Sequence, residues 1–203
     1  SQINGIGNFS LFNTEIIDKQ YVYPSNPPLL YGNTSAGLVE VQTTDELTQN
    51  NLQLSAGIAN AGFLWSQQLG GEQSFIQLYG NRQFSDAFLR LNKGSFDYLK
   101  SFQNYDLGLN LHHQWNEYWS LNLYSYGIEE SYQAQQYLYA YEGLARADKR
   151  RNFNIFNLEY TKGKWSVSLD NGSNFSQTDF SLGNIQSSLV NHHAYTAINA
   201  NRE

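Results

Sequence analysis

From Leu52 onward, apolar and polar positions alternate along the chain with a period of two. In Tyr105–Trp115 one parity carries Tyr105, Leu107, Leu109, Leu111, His113 and Trp115, and the other carries Asp106, Gly108, Asn110, His112 and Gln114. Tyr118–Ile128 repeats the arrangement, with Trp119, Leu121 and Leu123 against Ser120, Asn122, Tyr124 and Tyr126. Lys164–Asp170 repeats it again, with Trp165, Val167 and Leu169 against Ser166, Ser168 and Asp170. Successive side chains of a strand point to opposite faces, so each run predicts a β-strand with one greasy and one polar face. Ser74–Phe84 and Phe153–Thr161 follow the pattern less strictly, the second with a β-bulge expected near Ile155–Phe156. Leu52–Leu69 and Ala194–Ala200 complete a set of about six or seven strands.

The first 48 residues differ. They hold all three prolines, Pro24, Pro27 and Pro28, together with Gly5, Gly7, Gly32 and Gly37. This is the composition of a turn-rich unit, with strand-like runs at Ile16–Tyr23 and Gly37–Thr43. The polar stretch Thr44–Asn51 reads as a linker, giving two expected domains, residues 1–48 and 49–203.

The connections narrow the fold class. Gly70–Gln73, Asn116–Glu117 and Lys162–Lys164 read as short turns, whereas Ser85–Asn104, Glu129–Asn152 and Asn171–His192 read as long loops. Short and long alternate, and in an up-and-down meander this puts all tight turns at one end and all long loops at the other, as in outer-membrane barrels. Tyr105, Trp115, Trp119 and Trp165 lie at strand ends, where an interfacial girdle needs rings with one apolar and one wet side. An open sheet edge in lipid costs several kcal/mol per unpaired backbone group. Six or seven strands are too few to close a membrane barrel, so the chain is expected to be a segment of a larger wall.

Composition fits a membrane-strand reading. Aromatic and charged residues each make up 15% of the chain, whereas charged residues normally form about a quarter of a soluble domain. The mean hydropathy of -0.54 follows from alternating lipid-facing and lumen-facing positions. The net charge of -6 and the lack of a basic run argue against a nucleic-acid partner. Without cysteine, neither a disulfide framework nor a thiolate zinc site can form.

The stretch Ile16-Ile17-Asp18-Lys19-Gln20-Tyr21-Val22-Tyr23, followed by Asn26-Pro27-Pro28-Leu29-Leu30-Tyr31-Gly32-Asn33-Thr34-Ser35-Ala36-Gly37-Leu38-Val39-Glu40-Val41-Gln42-Thr43, resembles the end of the plug domain of TonB-dependent receptors. The shared features are a strand, a proline turn, an aromatic-glycine pair, a small-residue stretch ending in glycine, and a β-branched strand closing on threonine. Pro27, Pro28, Tyr31, Gly32, Gly37 and Thr43 carry the motif. The turn Pro24-Ser25-Asn26-Pro27-Pro28 replaces the Arg-Gly-Pro turn of many members and is closer to receptors of the Bacteroidetes. The resemblance covers about the first 85 residues. It implies a plug tail leading into the first strands of a barrel of about 22 strands, an outer-membrane location, a TonB-type energy-coupling partner and, for receptors of this type, a surface lipoprotein.

Candidate chemistry is sparse. His112-His113 and His192-His193 are neighbours in strands, so neither pair can chelate one metal from regular geometry. Asp170-Asn171-Gly172-Ser173-Asn174 reads as a strand end entering a turn-rich loop rather than a hydrolase site, and Gly32–Gly37 lacks the ending of a phosphate loop. No enzyme activity, cofactor or metal is expected. Tyr132, Tyr137, Tyr139 and Tyr141, followed by Arg146, Lys149, Arg150 and Arg151, have two readings. They form a ligand-contacting external loop, or they pack on one another with a basic patch toward anionic headgroups of outer-membrane lipids. Phe88, Leu89, Phe96, Tyr98, Leu99 and Phe102 read as a self-packing first loop.

The expected function is energy-coupled uptake of a scarce nutrient through the outer membrane. The alternatives are a small plug-less outer-membrane barrel, structural or hydrolytic, and a soluble β-rich glycan-binding protein whose leucine faces meet a second sheet.

Overall fold

A computed structural model of the 203-residue chain describes residues 16–23, 38–44, 46–71, 73–91, 98–138 and 141–202. The protein is all-β and divides into two units, residues 1–45 and 46–203. In the first, β1 (Ile17–Tyr23) pairs antiparallel with β2 (Leu38–Thr43), Tyr23 opposite Leu38 and Ile17 opposite Thr43. The Thr44 N–H donates to the Ile16 carbonyl at 3.0 Å and extends the pairing by one step. Both strand-like runs expected in this region are present. Pro27, Pro28, Tyr31, Gly32 and Gly37 lie outside the described residues, and Thr43 ends β2.

The second unit is one antiparallel meander of eight strands in sequence order. The strands are β3 (Asn51–Ala56), β4 (Asn60–Gly71), β5 (Ser74–Phe84), β6 (Leu99–Gln114), β7 (Trp119–Leu138), β8 (Tyr141–Lys162), β9 (Trp165–Leu182) and β10 (Ile185–Arg202). The sheet is not closed. Between β5 and β6 the short helix α1 (Asp86–Leu91) starts after Ser85, whose hydroxyl accepts the Phe102 N–H at 2.7 Å. Three sequence expectations are corrected. Leu52–Leu69 is not one strand but β3 and β4, separated by a turn in which the Gly57 N–H donates to the Asn60 carbonyl at 2.8 Å. This raises the expected six or seven strands to eight.

The second correction concerns the loops. Residues 129–138 and 141–152, and residues 171–182 and 185–192, are strand, paired from Glu129 opposite Arg150 up to Leu138 opposite Tyr141, and from Asn171 opposite Thr196 up to Leu182 opposite Ile185. The Asp170–Asn174 run is accordingly the middle of β9 and not a strand end. These segments lack greasy-out alternation but keep full ladder hydrogen bonding, so period-two hydropathy underestimates how far they run. Third, β8 carries no bulge at Ile155–Phe156, because its register with β7 and β9 is unbroken there. The irregularities fall instead at Gln68/Gly71 and Leu99/Ser101.

The turns at 163–164 and 183–184 are tight. Gly163 and Gly183 adopt φ of 62° and 60°, the left-handed region that glycine enters without steric cost and that two-residue hairpins require. At the β6–β7 turn the Asn116 side-chain oxygen accepts the N–H groups of Tyr118 and Trp119 at 2.9 and 3.1 Å.

Candidate functional site

The registers define two faces of the large sheet, named here after Leu109 and Asn110. Leu107, Leu109, Leu111, Leu121, Leu123, Val167 and Leu169 share one face. Leu111 lies opposite Leu123, and the row Leu121, Leu158, Leu169 and Ile198 is directly paired across four strands. The apolar positions form a band that runs obliquely to the hydrogen-bonded rows. The row Leu52, Trp65, Leu78, Leu109 is apolar on β3–β6, then becomes Ser125, Asn154 and Ser173 on β7–β9. The row Ser74, His113 is polar on β5–β6, then becomes Leu121, Leu158, Leu169 and Ile198. The band therefore steps by about one residue per strand, and with a rise of ~3.3 Å and a strand spacing of ~4.8 Å it crosses the strands at a tilt of roughly 35°.

At one edge of the band stands an aromatic belt. The rings of Trp119 and Tyr160 are 4.8 Å apart, those of Tyr118 and Tyr160 6.4 Å, and His113 meets Trp115 edge-on at 5.1 Å. Lys162 and Arg202 place cations 5.5 and 5.3 Å from the rings of Tyr118 and Trp165.

Past the band, the polarity of the faces exchanges. On the Leu109 face of β7, Trp119, Leu121 and Leu123 give way to Ser125, Gly127, Glu129, Ser131 and Gln133. On the other face, Ser120 and Asn122 give way to Tyr124, Tyr126, Ile128, Glu130, Tyr132 and Ala134. β8 does the same in reverse chain order, Asn154 and Asn152 following Phe156 on one face while Ile155 and Phe153 follow Asn157 on the other. Most apolar residues of the Asn110 face are covered here, Tyr124, Tyr126, Ile128, Tyr132, Ala134, Ala145 and Ala147 being buried, while Ile155 stays 37% exposed.

Beside the band, the Asn110 face is a ladder of side-chain amides. Asn110 donates to Gln77 at 2.9 Å and Gln77 to Ser66 at 3.2 Å. In the neighbouring row the Nδ1–H of His112 donates to Asn122, whose amide donates to Asn157 at 3.2 Å; the amide of Asn157 donates to Asp170, which also accepts Asn199 at 2.8 Å. His112 thus sits on the amide face, stacked on Phe75 at 5.7 Å, while His113 lies on the other.

The candidate ligand residues are divided by the same parity. Tyr132 is on the Asn110 face and 7% exposed, with Lys149 Nζ 5.9 Å from its ring centre. Burial first, and then the charge of Glu130, raise its phenol above the usual value. Arg151 lies on this face and pairs with Glu130 at 2.8 Å. Arg146 and Arg150 are on the Leu109 face, paired with Asp148 at 2.8 Å and Glu129 at 3.2 Å. Partial burial opposes ionisation of Asp148, but hydrogen bonds from Ser131 and Arg146 and the charges of Arg146 and Arg150 win and hold its carboxyl below the usual range. Tyr137 and Tyr141 are at the tip of the β7–β8 hairpin and Tyr139 lies outside the described residues. The structure thus brings together Tyr132, Lys149, Glu130 and Arg151 and separates them from Arg146 and Arg150. Glu130 was legible as a partner only once the register set it opposite Lys149 and diagonal to Arg151. The buried Asn104 Oδ1 and Arg151 Nε have no hydrogen-bond partner among the described residues, leaving an acceptor and a donor on the face that carries Glu130. Among the described residues no three His, Asp or Glu side chains form a group that could hold a metal ion.

Comparison of the chain with protein families, with curated proteins and with solved structures finds no match in any of the three.

Proposed function

We propose that the eight-stranded sheet is part of the wall of an outer-membrane β-barrel, and that the chain belongs to an energy-coupled uptake receptor of the TonB-dependent type. One observation carries the membrane reading: the oblique apolar band, edged on one side by aromatic rings, with an exchange of polarity between the two faces beyond its other side. A bilayer is a planar apolar slab, so it marks tilted strands along a diagonal of their hydrogen-bonded rows. The tilt of roughly 35° falls within the range of membrane barrels. Where strands leave lipid for water, the outer face must become polar, and apolar side chains are then best covered on the inner face. A soluble sheet packed on a second sheet keeps one apolar face along its whole length, which this sheet does not.

On this reading the Leu109 face is outside and the Asn110 face lines the lumen. The tight turns at 115–118 and 163–164 are periplasmic, and β7–β10 rise far beyond the outer leaflet. Ligand contacts come from the lumenal face above the band, with Tyr132 as an aromatic wall and Lys149, Glu130 and Arg151 as polar contacts, rather than from Arg146 and Arg150. The plug and the TonB partner rest on the resemblance of residues 16–43, and a surface lipoprotein on the same resemblance. The self-closed small barrel is disfavoured by length, since β3 has 6 residues and β10 has 18, so β3 could cover only a third of the β10 edge.

The test is a pair of cysteine cross-links in the full-length protein. A cysteine at Val39 is expected to cross-link with one at Asn110 or Asn122 and not with one at Leu109 or Leu121. Cross-linking to the leucine positions, or to neither set, contradicts a plug in the lumen.

A further inference from the structure

Immediately beyond the apolar band, the outer face of β7–β9 carries a patch that a merely solvated strand does not need. Phe175 lies directly opposite Asn152 and is 38% exposed. Around it on the same face are Asn154 and Ser173 in the adjoining row, with Ser125 beyond them. The amides are held in fixed orientations. Ser125 donates to Asn154 Oδ1 at 2.7 Å, Asn154 donates to Ser173 at 3.3 Å and to Asn152 Oδ1, and Asn152 donates to the Tyr126 carbonyl at 3.2 Å. Each side-chain amide has two N–H groups and two acceptor lone pairs, so the ladder keeps further hydrogen-bonding capacity toward the outside at little entropic cost.

An exposed ring amid oriented amides and hydroxyls suits a sugar, whose C–H face covers the ring while its hydroxyls exchange hydrogen bonds with the amides. It does not suit a bare phosphate, because the nearby cations Arg150 and Arg146 are already paired with Glu129 and Asp148. We infer that Phe175, Asn152, Asn154 and Ser173 dock the saccharide headgroup of an outer-leaflet glycolipid. The position supports that occupant, since the patch is continuous with the band assigned to acyl chains and lies at headgroup depth. The inference rests on the membrane reading above.

The experiment uses the full-length protein in phosphatidylethanolamine vesicles, with a bimane fluorophore on a single Gln177→Cys beside Phe175. Rough lipopolysaccharide added to the vesicles is expected to change the bimane emission saturably. The half-saturating fraction should rise at least tenfold in Phe175→Ala and Asn152→Leu. No response, an unchanged response in both variants, or an equal response to phosphatidylglycerol would overturn the inference, the last by showing recognition of negative charge. A bimane on Leu121→Cys, tested with quencher-bearing acyl chains, separates the two readings. Quenching at 121 without a saccharide response at 177 removes only the glycolipid site, whereas absence of quenching at 121 removes the membrane reading with it.

Discussion

Tyr79 and Tyr124 stand on strands two apart in the sheet, yet their hydroxyls share a 2.7 Å hydrogen bond. Gly108, on the intervening strand and directly opposite Tyr79, makes this possible. A Cβ at position 108 would fall on the Tyr79 ring and hydroxyl, so the ring lies across the bare backbone and continues to a 6.3 Å stack with Tyr126.

Gly108→Ala is therefore expected to destabilise the sheet by about 1–3 kcal/mol, the usual cost of overpacking. Gly172 occupies the same face, but nothing lies within 4 Å of its added Cβ, and Gly172→Ala should be neutral or mildly stabilising. Urea unfolding of the two variants in detergent or vesicles distinguishes them, and equal destabilisation would show that Tyr79 does not need the glycine.

Opposite tolerances are expected within one strand and one face. Leu121→Arg should cost about 2–4 kcal/mol, as for a cation on a lipid-facing surface at mid-depth, while Ser131→Arg replaces a hydroxyl donor to the Asp148 carboxylate directly opposite with a cationic one and should change stability by less than about 1 kcal/mol. Equal costs in vesicle-folding titrations would remove the boundary placed between them.

The two charge pairs joining β7 and β8 should differ as well. Glu130 is 10% exposed and Glu129 51%. Loss of the Glu129–Arg150 pair should cost no more than about 1 kcal/mol. Glu130→Ala leaves the Arg151 guanidinium half-buried without its anion and should cost about 1–3 kcal/mol. A double-mutant cycle for each pair gives the comparison, and a larger coupling for the exposed pair would contradict this ranking.

The amide relay from His112 to Asp170 fixes a donor direction. Because the Asn157 amide donates to the Asp170 carboxylate, its oxygen accepts from Asn122, whose oxygen in turn accepts from His112 Nδ1. The neutral His112 should thus be the Nδ1–H tautomer, and Asn157→Leu should abolish that preference. Nitrogen NMR of the imidazole reads the tautomer directly, and an Nε2–H form in the parent protein would reverse the relay.

What could be read from the sequence follows the same physics. The shared face of Leu107, Leu109, Leu121 and Leu169, and the strands carrying them, were legible because lipid-facing or core-facing alternation has a period of two. The upper halves of β7–β10 were not. There Glu129, Arg150, Asn152 and Asn171 occupy the face that leucine holds lower down, and a run that changes its greasy side midway loses its period although its backbone ladder continues. Tyr132 was found as a candidate contact, but its separation from Arg146 and Arg150 depends on parity across a hairpin whose extent the alternation concealed. The motif residues from Pro27 to Gly37 lie outside the described residues, so that part of the reading still rests on sequence resemblance.

The most direct test of the exchange of polarity as a membrane boundary is cysteine labelling on whole cells producing the full-length protein. This stretch contains no cysteine of its own. A cysteine at Gln135 is expected to react with a membrane-impermeant maleimide, one at Leu121 only with a lipid-soluble one, and one at Gly163 with the impermeant reagent only after the outer membrane is opened. Impermeant labelling at Leu121 as strong as at Gln135, or labelling of intact cells at Gly163 with none at Gln135, would contradict the account.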